Sequence, residues 1–407
     1  MAKDVTLSVQ KTGLILSGGG ARAAYQVGVL KAIHRILPRG HYNPFDIISG
    51  TSAGAINGTG LACYAENYRL GIRHLERIWS NFQCDQIYRT DFFGVSKSLA
   101  KLTRSLVVGR RFKHDPVSLL DNAPLRELLA DMIKFDQIQS AIDNGALHAV
   151  TVNCSGLESG ESVSFFQGHY SITNWQRQRR VGVRSRLSLD HLMASSAIPM
   201  IFPAVKIHRE YFADGAVRQL TPLSPALHLG AEKIMVIGVS GLAHTRKPRT
   251  HNAIYPTPAK IMGHMLNAAF LDSMESDVER LLRINRTVDK IPEKLRLQEG
   301  MELKKIDLLQ INPSRSIDDI AGEHADEIPW ALKLALGGSG NANHSGSGIL
   351  SYLLFSEGYC RSLIDLGFQD AMNRADEIRA FFADHFIGHE SHSSPEHDQS
   401  DDIQASA

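Results

Sequence analysis

Five residues, Gly50-Thr51-Ser52-Ala53-Gly54, close the apolar run Phe45 to Ile48 and open the helical stretch Ala53 to Ala65. A β-branched apolar run reads as a buried strand, and glycine on both sides of a serine permits a turn too tight for larger residues. The pattern G-x-S-x-G thus sets Ser52 at the tip of a strand-to-helix turn, with its hydroxyl above the strand ends and Gly50 and Gly54 as supports. One strand earlier the chain does something similar. Thr12 to Ser17 reads as a buried strand, followed by Gly18-Gly19-Gly20 and a helix from Ala21 to about Leu37. In that helix Gly28 predicts a close approach to the sheet, with Val27 and Leu30 supplying apolar contact.

Further strands are predicted at Leu147 to Asn153, Ser162 to Phe166, Lys233 to Val239 and Ile306 to Ile311, with helices between them, notably Pro116 to Phe135 and Ala259 to Arg286. In the last segment Met262, Leu266, Phe270, Met274 and Val278 recur every four residues, a stripe expected to face a core. Strands alternating with helices imply an α/β fold of three layers, a mostly parallel sheet covered on both faces. No internal repeat is visible. Gly337 to Gly348 reads as a flexible loop between helical patterns, and His389 to Ala407, rich in Ser, Asp and His, as a disordered tail.

The net charge of +1 implies no general attraction to nucleic acid. Met1 to Gln10 lacks the apolar core of a secretory signal, and no stretch approaches the ~20 apolar residues that span a bilayer. The expectation is a cytoplasmic protein not integral to a membrane. Cys63, Cys84, Cys154 and Cys360 are scattered and read as reduced core thiols rather than disulfides or metal ligands.

A serine hydroxyl becomes a useful nucleophile only when a base takes its proton and donors await the oxyanion it creates. Ser17-Gly18-Gly19-Gly20-Ala21-Arg22 offers unobstructed amides at a helix start, where negative charge is favoured. Gly18-x-Gly20-x-x-Ala23 also fits the dinucleotide fingerprint, which requires an acidic residue at the end of the second strand. Asp46 falls at that strand's start instead, so the anion-hole reading is preferred. For the base, His191 and His208 are the histidines nearest by context, but neither sits in a glycine-bounded loop, and His208 lies in a charged segment expected to be a surface hairpin. Asp214, in Tyr211-Phe212-Ala213-Asp214-Gly215-Ala216, has an apolar approach and a turn after it. That placement predicts a partly desolvated carboxyl with a raised pKa.

Together these pieces resemble the patatin-like phospholipases, serine lipid acyl hydrolases with a Ser/Asp dyad. The resemblance rests on Gly18 to Arg22, Gly50 to Gly54, Ala194-Ser195-Ser196-Ala197-Ile198-Pro199 and Asp214-Gly215-Ala216, in the family's order. It implies Ser52 as nucleophile, Asp214 as base, the amides of Gly18, Gly19, Gly20 and Ala21 as oxyanion hole, and no metal or organic cofactor. Arg22, at the motif's basic position, either supports the loop or draws in an anionic head group. Ala23 departs from the glycine of many members. The expected catalytic domain is 8–315 with its motif-bearing core at 12–240, followed by a helical extension at 316–388 and a tail at 389–407.

The implied substrate is a lipid or other acyl ester, with an acyltransferase or a non-catalytic regulatory protein as alternatives. Transacylases of related fold usually carry a histidine beside the nucleophile, where this chain has Thr51. Trp175, Arg177, Arg179, Arg180, Arg184 and Arg186 form a basic stretch that reads equally as a contact for an anionic membrane surface or a solvated loop. Ile349 to Phe355 reads as a core helix, with a lid or acyl-chain wall as its functional reading.

Overall fold

The computed structural model describes residues 10–38, 43–89, 118–241, 255, 258–301, 303–329, 333 and 347–390. Most of the 337–348 loop and the tail beyond 390 lie outside the described residues. Ten strands form one sheet: β1 Thr12–Leu16, β2 Ile47–Thr51, β3 Ala149–Gly156, β4 Ser162–Gly168, β5 Trp175–Arg177, β6 Arg180–Arg184, β7 Val205–Ile207, β8 Glu210–Asp214, β9 Lys233–Ile237 and β10 Asp307–Ile311. The order β10-β9-β1-β2-β3 is parallel throughout, and β4 then pairs antiparallel to β3. Beyond it β6 runs parallel to β4, and β5 closes that edge antiparallel.

Side chains alternate across a strand, so apolar strands buried on both faces feed two cores. Leu14, Leu16 and Ile48 belong to one; Ile15, Ile47, Ile234 and Val236 belong to the other. The first core is covered by α1 Ala24–Ile36, α2 Ala53–Cys63 and α3 Tyr68–Trp79, with α4 Ala123–Met132 and α5 Phe135–Asp143 beside them. The helix expected over Pro116 to Phe135 is shorter, Ala123–Met132, and a second helix begins at Phe135 after the break at Ile133 and Lys134. The helices continue with α6 Leu189–Ser195, α7 Pro258–Asn267, α8 Ser273–Val288, α9 Ile317–Glu323, α10 Ser347–Leu353, α11 Glu357–Met372 and α12 Ala375–Glu390.

Two sequence expectations need revision. Gly28 does not serve contact with the sheet. A Cβ there would overlap the Ile364 carbonyl of α11, and a Cβ at Gly367 would overlap the Tyr25 carbonyl of α1, so two glycines let these helices cross backbone to backbone. The apolar stripe from Met262 to Val278 is core, but it does not follow one helix face. A spacing of four overruns a 3.6-residue turn by about 40° at each step, and a π-helical turn at Ala268–Asp272 divides the segment. Leu266 and Phe270 enter the first core, and Met274 and Val278 the second. The segment therefore wraps around the sheet at the ends of its strands.

The placement of β8 decides which residues meet at the strand ends. β2 pairs with β3 as far as Thr51 opposite Asn153, and the next residue of β3, Cys154, pairs with Asp214 of β8. Where β2 leaves the sheet, β8 takes over the same edge of β3. The residue after β2 is Ser52, so register alone brings Ser52 and Asp214 together.

Candidate active site

Ser52 has φ 55° and ψ −129°, a conformation rarely adopted by a side-chain-bearing residue and worth of order 1–3 kcal/mol of strain. Local bonds hold it there. Its N–H donates to Ser195 Oγ at 2.9 Å, Ser195 Oγ donates to the Asn153 carbonyl at 2.6 Å, and its carbonyl accepts from Ala55 N at 2.9 Å to start α2. Asn153 Nδ2 reaches the Gly50 carbonyl at 2.9 Å, and Thr51 Oγ1 donates to Gln219 Oε1 at 2.6 Å. Gly50 packs against the backbone of Gly54 and Ala55, and a Cβ at Gly54 would overlap the Leu16 carbonyl, so the turn closes only with glycine at that position.

Asp214 is fully buried at the end of β8. Its N–H donates to the Ala197 carbonyl at 2.9 Å, and its Oδ1 accepts from Ala216 N at 3.0 Å across Gly215, which packs on the Asn153 carbonyl. Burial raises the Asp214 pKa from 3.8 to about 7, offset in part by the Ser52 hydroxyl and then by the Ala216 N–H. Oδ2 nevertheless lacks a partner at hydrogen-bond geometry. Ser52 is therefore close enough to act on the carboxyl while the hydrogen bond itself is not closed, as is common in unliganded hydrolase sites. Ser195 and Ala197 show what the Ala194 to Pro199 block does. One holds the serine turn and the other holds the aspartate.

The glycine loop lies across from the serine. A Cβ at Gly18 would come 3.1 Å from Ser52 Cβ, Gly19 packs on Val239, and Gly20 has φ +56° with its α-carbon against the Tyr352 carbonyl. Among the described residues the N–H groups of Gly19 and Gly20 find no backbone acceptor, whereas Arg22 N donates to the Gly19 carbonyl at 3.2 Å. Ala21 is buried in the single turn Gly20–Ala23 that precedes α1. Unpaired amides at a helix start favour an anion. Asp46 sits at the other end of β1, where its Oδ2 accepts from Thr12 N at 2.7 Å, so Asp46 does not stand where a dinucleotide ribose would need it.

Ser52 and Gly20 open onto a narrow apolar cavity of about 30 Å³ walled by Ile56, Trp79, Leu129, Met132, Phe202, Tyr352 and Phe355. That is room for about two waters. The stretch Ile349 to Phe355 is core, as its first reading anticipated, and its Tyr352 and Phe355 also line the cavity. Other expectations divide. Arg22 is 2% exposed and salt-bridged to Asp318 at 2.6 Å, so its side chain is buried within the protein and not presented at the surface. His191 is held by Ser188 at the start of its own helix, and burial lowers its pKa to about 4; His208 occupies the β7–β8 turn. In the basic stretch Trp175 stacks between Phe166 and His228, Arg184 binds the Gly168 and His169 carbonyls, and Arg180 binds Thr221. Arg177, Arg179 and Arg186 of the same stretch are exposed. All four cysteines are buried free thiols. Among the described residues no helix is long and apolar enough to cross a membrane.

Sequence reasoning named Ser195 as part of a motif without a role of its own and missed Asn153 and Gln219. Asn153 interrupts a buried strand, the signal available for a buried hydrogen-bonding role, whereas Gln219 follows Arg218 and gives no such signal.

The chain is 25% identical over 324 residues to a cGAMP-activated phospholipase of Pseudomonas aeruginosa (strain BWHPSA011 / Pa011), covering 77% of this chain and 86% of that one. It is 28% identical over 213 residues to a cGAMP-activated phospholipase of Escherichia coli (strain TW11681), covering 50% of this chain and 51% of that one. A shorter stretch of 64 residues is 48% identical to lysophospholipase NTE1 of Eremothecium gossypii, covering 16% of this chain and 4% of that one. Among solved structures, human GIVD cytosolic phospholipase A2 in complex with methyl gamma-linolenyl fluorophosphonate and terbium chloride aligns with a TM-score of 0.42 at 14% identity, covering 93% of this chain and 60% of that one. The family model described as patatin-like phospholipase matches residues 14–227, a span that holds the glycine loop, the serine turn and the aspartate, and the chain belongs to that family.

Proposed function

We propose that the chain hydrolyses lipid acyl esters, phospholipid or lysophospholipid among them, through an acyl-enzyme on Ser52. The observation that carries this reading is the buried pair. A strained serine lies beside a fully buried carboxyl with a pKa of about 7, at the mouth of an apolar cavity. A base whose pKa lies near the working pH is well matched to proton transfer. In its ionised form Asp214 takes the Ser52 proton as Oγ attacks the ester carbonyl, and the amides of Gly19 and Gly20, with Gly18 and Ala21 beside them, receive the oxyanion. Collapse expels the alcohol, which recovers the proton from Asp214. Water, deprotonated by the same carboxylate, then releases the fatty acid and restores Ser52.

The cavity suits an acyl chain, each buried methylene contributing about 0.8 kcal/mol. Its resting width requires Met132, Leu128 and their neighbours to part as the chain enters. The test is hydrolysis of a short p-nitrophenyl ester and a lysophospholipid, together with labelling by a fluorophosphonate. Ser52→Ala and Asp214→Asn are each expected to abolish turnover, and activity retained in Ser52→Ala would rule out the nucleophile. If glycerol added with the acyl donor captures the acyl group in place of water, the enzyme is a transferase.

We extend the proposal to activation. Two of the relatives are named for activation by cGAMP, and the Pseudomonas aeruginosa protein aligns over more residues than the family-matched stretch contains. Turnover is expected to rise on adding cGAMP. An unchanged rate at saturating nucleotide refutes the extension and leaves the hydrolase reading intact.

A further inference from the structure

Arg22 lies two residues after Gly20, the last residue of the glycine loop, yet its side chain turns away from Ser52 into a buried network built largely from the far end of the chain. Its Nε donates to Ser351 Oγ at 2.9 Å, and its Nη2 reaches Ser351 Oγ at 2.7 Å, Asp318 Oδ1 at 2.6 Å and Asn267 Oδ1 at 3.3 Å. The guanidinium lies 4.1 Å over the Tyr352 ring, whose hydroxyl donates to Asn267 Oδ1 at 2.8 Å. Ser351 Oγ also approaches Asp318 Oδ1 at 2.7 Å. A buried guanidinium carries several directional donors in one plane, so carboxylate, hydroxyl and amide partners fix its orientation.

The same elements press on the loop itself. The Tyr352 carbonyl packs on Gly20, and the Phe270 ring lies where a Cβ at Gly18 would come within 2.6 Å of it. Asn267, Phe270, Asp318, Ser351 and Tyr352 all lie beyond residue 227, outside the stretch matched by the family. The loop's own residues are glycines without side chains to hold them, so its shape is imposed from outside. Arg22 joins the loop to the elements that impose it.

We propose that Arg22 is a positioning residue: its clamp by Asp318, Ser351 and Asn267 holds the Gly18 to Gly20 amides at the place where an oxyanion forms, so that α7, α9 and α10 complete the catalytic centre. The inference rests on Ser52 being the nucleophile. It assigns Arg22 no contact with substrate, in keeping with its 2% exposure. Because the oxyanion exists only in the transition state, a loosened loop lowers kcat and leaves KM nearly unchanged.

The experiment uses the full chain carrying Asp318→Asn or Ser351→Ala, with Glu323→Gln as control, since Glu323 pairs only with the exposed Arg315 at 3.0 Å. The Asp318 side chain is 26% exposed, which makes Asp318→Asn the variant least disturbing to folding. Two quantities are read: kcat and KM on a p-nitrophenyl ester, and the maximal rate and half-saturation of fluorophosphonate labelling. Expected is a fall of about tenfold to a hundredfold in kcat and in the maximal labelling rate, KM and half-saturation staying within about twofold, and an unaltered control. Three outcomes overturn the proposal. One is kcat within about twofold of wild type in both variants, another is a rise in KM at constant kcat, and the third is a loss of kcat that only tracks a lowered melting temperature. A wild-type chain that neither labels nor turns over refutes the Ser52 assignment, a result distinct from all three.

Discussion

Replacing Asp214 by Asn isolates the cost of holding a carboxyl where water does not reach it, and it does so without any assay of activity. Burial moves the Asp214 pKa from 3.8 to about 7 in the folded protein. Below the unfolded value both states carry the proton and the group costs nothing. As pH rises from about 4 to about 7 the unfolded chain ionises while the folded chain keeps its proton, so stability falls; above about 7 both are ionised and the loss is complete. About three pH units at ~1.4 kcal/mol each give a total of about 4 kcal/mol. Against a typical total of about 5–15 kcal/mol this is large. Asn has nearly the same shape, and its amide can donate to the Ser52 hydroxyl where Asp214 Oδ2 has no partner. Urea unfolding of both proteins at several pH values provides the measurement, and subtraction cancels every other titrating group. The stability of Asp214→Asn minus that of wild type is expected to grow by about 1.4 kcal/mol per pH unit up to about pH 7 and then level off. The slope with urea grows with chain length, and at about 3 kcal/mol per molar or more the midpoints separate by up to about 1 M between pH 5 and 7. Parallel curves over that range would mean that Asp214 is already ionised at low pH and is no desolvated base.

Other consequences are open to measurement. kcat/KM is expected to rise with pH along a single acid limb with an apparent pKa of about 7, because the free enzyme's Asp214 must be ionised to accept the Ser52 proton; a limb near 4 would refute this. Gly367→Ala sets a methyl against the Tyr25 carbonyl at the α1–α11 crossing and is expected to cost about 1–3 kcal/mol or more in chemical denaturation, unlike Gly145→Ala, which meets no atom within 4 Å but is strained by φ +75°. If Gly145→Ala proves the more damaging of the two, backbone strain outweighs helix contact and the crossing is not as tight as its glycines imply.

Local features were legible in the sequence for physical reasons that also set their limits. Strands β1, β2 and β9 announce themselves because a parallel strand buried on both faces is a largely apolar run. Glycine marks the serine turn and the loop before it because few other residues fit there. The Asp214 turn was visible as an apolar run ending in Asp-Gly. Pairings between distant segments were not visible. Nothing in Gly28 says whether its close neighbour is a sheet or α11, since both call for a missing Cβ. The stripe from Met262 to Val278 has the same apolar composition whether it keeps to one core or passes between two, and its drift around the helix together with the π turn decides. Arg22 was visible as a charge, but its environment depends on Asp318 and Ser351, about 300 residues away.

The sharing of one edge of β3 by β2 and β8 has a consequence for what the chain can tolerate in evolution. Ser52 and Asp214 are set in register by a ladder, with Thr51 opposite Asn153 and Asp214 opposite Cys154. Successive residues of a strand point to opposite faces, so deleting one residue from the paired part of β8 would turn the carboxyl out of the site as well as shift it by about 3.3 Å. Insertions at the β7–β8 turn, around His208, leave that ladder untouched. Length variation among descendants of this chain should therefore collect at the hairpin tip, and the count of residues from the paired end of β8 to Asp214 should stay constant.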